Sequence, residues 1–377
     1  MRIITLFILI AFYFNASAQI DSIPKKKKQY PSISTNYHYG NVLPTNDFVK
    51  GDNLANEPIN HYQSIAIKML WQNPGYTDWQ KVYKGPYYGF GYMVGDFFNP
   101  DELGYPMALY GILGVPIKRW EKLELYTEFQ FGMAWNWQIY DSITNPKNVA
   151  IGGGYSVHLD IGIVAFYPIT KKLDIGGGIS FTHFSNGGFE RPNRGLNLYS
   201  PHIELKYHFA DRPKSREIGK TPRLKRSNDL YLMLGYGDHQ LVEHELDTNY
   251  YAIGGLSVIY FTQLSNAFRF GTGADLNYWW GLNAYPDGTI GPRTMNNFTL
   301  GLLIQPELIF NKLTLVSGIG IYAIHLDYGN FQQTYQRLGV RYDIYKNISF
   351  GVNVRAVNFM LAEFMEFNMG YVMKWEK

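Results

Sequence analysis

Alternation of apolar and polar residues is the feature of this sequence that most restricts its fold. From Leu123 to Trp137 the odd-numbered positions are almost all apolar, whereas the even-numbered ones include Glu124 and Glu128. The segments from Ile348 to Ala356 and from Met365 to Trp375 alternate in the same way. A period of two is that of a β-strand with one apolar and one polar face. The chain is therefore predicted to be all-β.

A membrane barrel explains this alternation better than a soluble β-sandwich, which has shorter apolar faces and fewer Gly, Asn and Glu residues opposite them. Aromatic residues make up 17% of the chain, charged residues 17%, and there are 38 glycines. After residue 18 no apolar run approaches the roughly 20 residues that a membrane-spanning helix needs. We expect an antiparallel transmembrane β-barrel with about 12 to 16 strands.

The N-terminus has the order of features found in a secretory signal peptide. Arg2 is followed by an apolar run from Ile3 to Phe14 and by small residues at positions 16–18, as such signals require. We therefore expect residues 1–18 to be removed, residues 19–31 to form a basic periplasmic tail, and the protein to reach the outer membrane of a Gram-negative bacterium.

A basic segment at residues 210–227 separates two strand-rich halves, 32–209 and 228–377. Two organisations remain open: one barrel with a long periplasmic excursion, or two barrel halves joined by a periplasmic linker. The basic residues of the segment are Arg212, Lys214, Arg216, Lys220, Arg223, Lys225 and Arg226.

Charge and cysteine content exclude several function classes. The net charge is only +3 and the basic residues concentrate in two short tracts, so no nucleic-acid partner is expected. The chain has no cysteine, which excludes disulfides, thiolate zinc sites and cysteine nucleophiles. Any catalysis must use serine, histidine, amide or carboxylate side chains.

Three polar residues are predicted to share an apolar outer face. The odd positions from Leu173 to Phe181 are mostly apolar, and the same parity continues through His183 and Ser185 to Asn197 on the next strand. Unpaired polar groups in hydrocarbon cost several kcal/mol. If these three side chains satisfy one another, they form a nucleophile, a base and an orienting group.

The run His183-Phe184-Ser185-Asn186-Gly187-Gly188, with Pro192-Asn193-Arg194-Gly195 after it, resembles the signature of PagL-type lipid A 3-O-deacylases, a family of acyloxyacyl hydrolase-like outer-membrane enzymes. The resemblance implies that the His is the base, that the Ser is the nucleophile, and that an acidic residue fourteen positions after the His orients it. Here that position is Asn197, which can hold the imidazole tautomer but cannot offset its positive charge. Glu190 is the second candidate for a supporting acid.

The resemblance also implies how the oxyanion would be held. Asn193 is the first candidate donor, with Asn186 or the backbone amides of Gly187 and Gly188 as additions. The expected function is a serine esterase that hydrolyses an ester-linked acyl chain of lipid A and requires no metal or organic cofactor. The alternative is a non-catalytic channel or transporter, suggested by Asn197 and by the unexplained second half.

Two further patterns have ordinary structural explanations. Acidic and histidine residues between positions 238 and 247 could ligate a cation, but a solvated loop is the simpler interpretation. Tryptophans are expected at the membrane interface as an aromatic belt: Trp135, Trp137, Trp279, Trp280 and Trp375.

Overall fold

The computed structural model describes residues 29–72, 74–212, 218–239, 249–281, 297–324, 333–357 and 361–376. The predicted signal peptide therefore lies outside the described residues, as do Lys214 and Arg216 of the basic segment. The same holds for the acidic and histidine residues at positions 243–247. The prediction of an antiparallel all-β fold is confirmed, and the strands form two closed barrels of eight strands each.

In the first barrel every strand pairs with its neighbours in sequence, and β1 pairs with β8 to close the sheet. Two short helices lie in its connections, α1 (Asp78–Val82) and α2 (Pro100–Leu103). The strands are β1 (Pro31–Val42), β2 (His61–Gln72), β3 (Tyr87–Asp96), β4 (Gly104–Arg119), β5 (Glu124–Trp137), β6 (Ser156–Pro168), β7 (Leu173–Ser185) and β8 (Leu196–His208).

The second barrel repeats this topology, and β16 pairs with β9 to close it. Its strands are β9 (Ser227–His239), β10 (Tyr251–Gln263), β11 (Phe268–Trp279), β12 (Phe298–Phe310), β13 (Leu313–Ile324), β14 (Thr334–Tyr345), β15 (Ile348–Val357) and β16 (Leu361–Glu376).

Neither α1 nor α2 is long and apolar enough to cross a membrane, and the described part of the chain has no other helix.

Charged side chains fill the barrel interiors and form ion pairs there. In the first barrel Lys68 Nζ lies 2.6 Å from Glu128 and 3.0 Å from Glu204, with all three residues buried. In the second barrel Arg337 and Arg355 each lie 2.9 Å from a carboxylate oxygen of Asp275. Apolar side chains on alternate positions consequently point outward, as the sequence pattern predicts.

The prediction of an interfacial aromatic belt is wrong for Trp137 and Trp279. Both side chains are buried inside their barrels, at 8% and 6% exposure. Asn136 has a φ of +67°, so the alternation of β5 breaks just before Trp137, whose indole donates to Ser156 Oγ at 3.0 Å. Trp279 donates to Thr299 Oγ1 at 3.2 Å. Of the other tryptophans, Trp375 is half exposed, as expected for an outward-facing residue.

One contact between the barrels lies near the end where the first barrel has its short turns. Tyr83, in the connection between β2 and β3, donates from its hydroxyl to the Ile309 carbonyl oxygen at 2.9 Å. Its ring stacks on Phe310 with ring centroids 4.3 Å apart.

The start of the linker is bound to the first barrel. Arg212 donates to the carbonyl oxygens of Thr170 and Lys171, and these bonds hold the residues just after β8 against a neighbouring turn.

Candidate active site

Strands β7 and β8 carry the three predicted site residues next to the loop that joins them, residues 186–195, called here the active-site loop. The side chains of β7 alternate, so that Thr182 and Phe184 point into the barrel while His183 and Ser185 point outward. Phe184 is fully buried and its ring packs edge-on against Trp137 at 5.2 Å. This anchor fixes the end of β7 and therefore the direction of its two outward polar side chains.

A continuous chain of hydrogen bonds joins the three residues. His183 and Asn197 are cross-strand partners, and His183 Nδ1 lies 2.7 Å from Asn197 Oδ1. The other ring nitrogen, Nε2, lies 2.8 Å from Ser185 Oγ. With Nδ1 donating to the amide oxygen, Nε2 is unprotonated and accepts the serine hydroxyl proton. The geometry is that of a nucleophile, a base and an orienting group.

Thr45 adds a fourth member to this chain that the sequence pattern did not indicate. Asn197 Nδ2 donates to Thr45 Oγ1 at 3.0 Å. When the Asn197 amide presents Oδ1 to His183, its Nδ2 group has Thr45 Oγ1 as its acceptor. Thr45 lies in the loop after β1, which β8 meets at the barrel closure, where Leu43 N donates to the Asn197 carbonyl oxygen at 2.8 Å.

Gly195 ends the active-site loop directly beside the serine and histidine. It has a φ of +70°, a conformation that glycine adopts without strain. A Cβ atom here would lie 2.8 Å from the Phe184 carbonyl oxygen and 3.2 Å from His183 Cε1. A glycine is therefore needed where the returning chain crosses the Ser/His pair.

The predicted oxyanion donors differ in whether they already form hydrogen bonds within the loop. Asn193 accepts a hydrogen bond from the Asn186 backbone N–H at 3.0 Å, and the Gly188 N–H donates to Asn186 Oδ1 at 3.0 Å. The Asn186 side-chain amide donates to the Glu190 carbonyl oxygen at 2.7 Å. These bonds order the loop and leave two donors that bond to no described residue, the Gly187 N–H and Asn193 Nδ2.

Glu190 is not placed to support His183, which corrects the prediction of a second supporting acid. Both ring nitrogens of His183 are already bonded, to Asn197 and Ser185. The Glu190 carboxylate instead interacts with the Tyr250 hydroxyl of the second barrel, and partial burial raises the pKa of this carboxyl above its usual value. Of the candidate ligands between positions 238 and 247, Asp238 accepts a hydrogen bond from Tyr236, and no described group could hold a metal ion.

Comparison with solved structures finds matches at very low similarity. The Pseudomonas putida toluene transporter TodX is 10% identical, covers 94% of this chain and 90% of its own, and has a TM-score of 0.18. Acinetobacter baumannii OccAB4 is 10% identical with coverage of 94% and 100% and a TM-score of 0.23. Pseudomonas aeruginosa OpdO is 8% identical with coverage of 93% and 97% and a TM-score of 0.24. Similarity this low carries no argument about function.

No curated protein sequence matches the chain significantly. Two family models do match. The model described as lipid A 3-O-deacylase (PagL) matches residues 65–206, within the first barrel, and the model described as acyloxyacyl hydrolase, C-terminal domain, matches residues 227–375 of the second. Together they cover most of the chain, which therefore belongs to the PagL family of outer-membrane β-barrel lipid A deacylases.

Proposed function

We propose that this protein is a serine esterase that removes an ester-linked acyl chain from lipid A, with Ser185 as the nucleophile, His183 as the base and Asn197 as the group that orients His183. The observation that carries the proposal is the unbroken hydrogen-bond chain from Ser185 through His183 to Asn197 on the outward face of the first barrel. Export by the signal peptide predicted in residues 1–18 would deliver the protein to the outer membrane.

The proposed reaction begins when His183 Nε2 takes the Ser185 hydroxyl proton as Oγ attacks the ester carbonyl carbon. The resulting oxyanion accepts hydrogen bonds from the Gly187 N–H and Asn193 Nδ2. His183 then returns the proton to the leaving alcohol oxygen as the ester bond breaks. A water molecule, deprotonated by His183, attacks the acyl-enzyme and releases the fatty acid, which restores Ser185.

An apolar surface on the outside of the first barrel adjoins the site and would accommodate the acyl chain of the substrate. Phe181 and Tyr199 are cross-strand partners one step down the outward face from His183 and Asn197. Both are partly exposed, at 38% and 45%, and Ile161 on β6 lies opposite Phe181 with 54% exposure. Because this surface leads directly to Ser185, a lipid-borne ester is a better substrate than a water-soluble one.

A channel function lacks a supporting observation in the described residues. The interior arginines of the second barrel, Arg337, Arg341 and Arg355, are at most 2% exposed as side chains and bonded to carboxylates. Lys68 and its two glutamates block the first barrel in the same way. We expect no ion conductance in planar bilayers.

The decisive experiment measures fatty acid release from lipid A by the purified protein and by Ser185→Ala. Release by the parent alone supports the proposal, whereas equal release by both proteins excludes Ser185 as the nucleophile.

A further inference from the structure

The active-site loop packs against the outside of the second barrel through two of its glycines, Gly187 and Gly188. A Cβ atom on Gly188 would lie 3.0 Å from the Ala362 carbonyl oxygen and 3.1 Å from that of Glu363, both on β16. A Cβ atom on Gly187 would lie 3.1 Å from Met365 Cε. The loop therefore approaches β16 so closely that a side chain at residue 188 would crowd the backbone of the neighbouring barrel.

The next three residues of the loop make specific contacts with the same barrel. The Phe189 ring packs on Tyr250, just before β10, with ring centroids 5.6 Å apart. The Tyr250 hydroxyl interacts with the Glu190 carboxylate. Arg191 donates from Nη2 to the Ala362 carbonyl oxygen at 3.3 Å. Residues 187–191 are thus held by the second barrel, while the two ends of the loop belong to the first.

We propose that the second barrel holds the active-site loop in its catalytic conformation and that Tyr250 is a positioning residue for the oxyanion donors. This inference rests on the proposed function, because it gives the second barrel a part in the same reaction. Tyr250 touches neither the substrate nor Ser185. It acts through Phe189 and Glu190 on the loop that carries the Gly187 N–H and Asn193.

The physical reason is that oxyanion donors must be held in position before the reaction begins. A donor stabilises the developing negative charge only when it lies at hydrogen-bond distance from the position that the oxyanion will occupy. A loop that has lost its contacts with the second barrel spends less time in that geometry. This loss destabilises the transition state more than it weakens substrate binding. Loosening the loop should therefore lower kcat and leave KM nearly unchanged.

The first test compares variants of Tyr250 in the full-length, membrane-inserted protein. Tyr250→Phe removes only the hydroxyl that interacts with Glu190, whereas Tyr250→Ala also removes the ring that packs on Phe189. We expect Tyr250→Ala to lower kcat by about tenfold with KM within about twofold of the parent, and Tyr250→Phe to lower kcat less. Tyr260→Phe and Tyr260→Ala are the matched controls, because Tyr260 lies further along β10 with almost the same exposure, 45% against 47%.

The second test measures the proximity of Phe189 and Tyr250 without an activity assay. Since the chain has no cysteine, Phe189→Cys combined with Tyr250→Cys gives a single pair for a short bismaleimide cross-linker. We expect this pair to cross-link intramolecularly, and Phe189→Cys combined with Tyr260→Cys to remain uncross-linked. Equal yields from the two pairs would contradict the position of the loop against β10.

The outcomes separate this inference from the proposed function. An active parent whose kcat is unchanged by Tyr250→Ala overturns the positioning role and leaves the esterase standing. A parent that releases no fatty acid overturns the esterase and with it the role of Tyr250. A fall in kcat at Tyr250 together with cross-linking of the 189–250 pair, with the Tyr260 controls unaffected, supports the inference.

Discussion

Asn197 Oδ1 lies 2.7 Å from His183 Nδ1, at a position where the resemblance to PagL-type deacylases implies an acidic residue. The amide oxygen accepts the Nδ1 proton and leaves Nε2 for Ser185, as a carboxylate would. An amide carries no charge, however, so in the proposed reaction it does not stabilise the imidazolium that forms when Ser185 attacks. The site therefore has the geometry of the acid-supported triad without its charge.

Asn197→Glu is expected to raise kcat by about tenfold, because a carboxylate at this position offsets the positive charge on His183 in the transition state. Asn197→Leu, which removes the acceptor, is expected to lower kcat by at least about a hundredfold. The measurement is steady-state deacylation of lipid A in mixed micelles. An Asn197→Glu protein that folds but is slower than the parent would show that the amide is the better partner here.

Thr45→Val is expected to lower kcat by about fivefold, because the Asn197 Nδ2 group loses the acceptor that it has in the orientation that presents Oδ1 to His183. Thr45→Ser keeps the hydroxyl and should behave like the parent. In an Asn197→Glu background the effect of Thr45→Val should shrink, since a carboxylate presents an oxygen to His183 in either orientation. Equal effects in both backgrounds would argue against this role for Thr45.

Gly195→Ala is expected to reduce kcat by at least about tenfold, because the added methyl group meets the Phe184 carbonyl oxygen at 2.8 Å and crowds His183. The positive φ of this residue adds strain of about 1 kcal/mol. Gly154→Ala is the control, since a Cβ atom there meets nothing within 4 Å. Kinetics and urea unfolding of both variants test the prediction, which fails if the two behave alike.

Lys68→Met is expected to destabilise the first barrel by about 3 to 5 kcal/mol, because Glu128 and Glu204 are left buried without a counter-charge. The free energy of unfolding can be measured with urea in lipid vesicles. Lys50→Met is the control, because the Lys50–Asp47 pair is largely exposed and exposed pairs contribute little. Equal stability of the two variants would mean that water or a proton compensates Glu128 and Glu204.

The outward direction of His183 and Ser185 is predictable from the sequence because strand alternation is a local property. Asn197 follows as well, since β7 and β8 form a hairpin and their register brings Asn197 opposite His183. The same reasoning was wrong for Trp137, where the positive φ of Asn136 breaks the alternation. A single residue in an unusual conformation reverses every inward and outward assignment beyond it.

Thr45 and Tyr250 could not be predicted, because their positions depend on contacts between distant parts of the chain. Thr45 reaches Asn197 only because β1 closes the first barrel against β8. Tyr250 reaches the active-site loop only because the second barrel lies beside it. Strand alternation follows from the sequence, but the division into two closed barrels, which the sequence left open, and the packing of those barrels depend on complementary surfaces that have no local pattern.

Mass spectrometry of lipid A after incubation with the purified protein tests the central claim most directly. With the parent we predict loss of one ester-linked acyl chain and release of the free fatty acid, and with Ser185→Ala, purified and folded in the same way, intact lipid A. Lipid A that loses the same chain with both proteins, or with neither, would contradict the assignment of Ser185 and His183 as an esterase site.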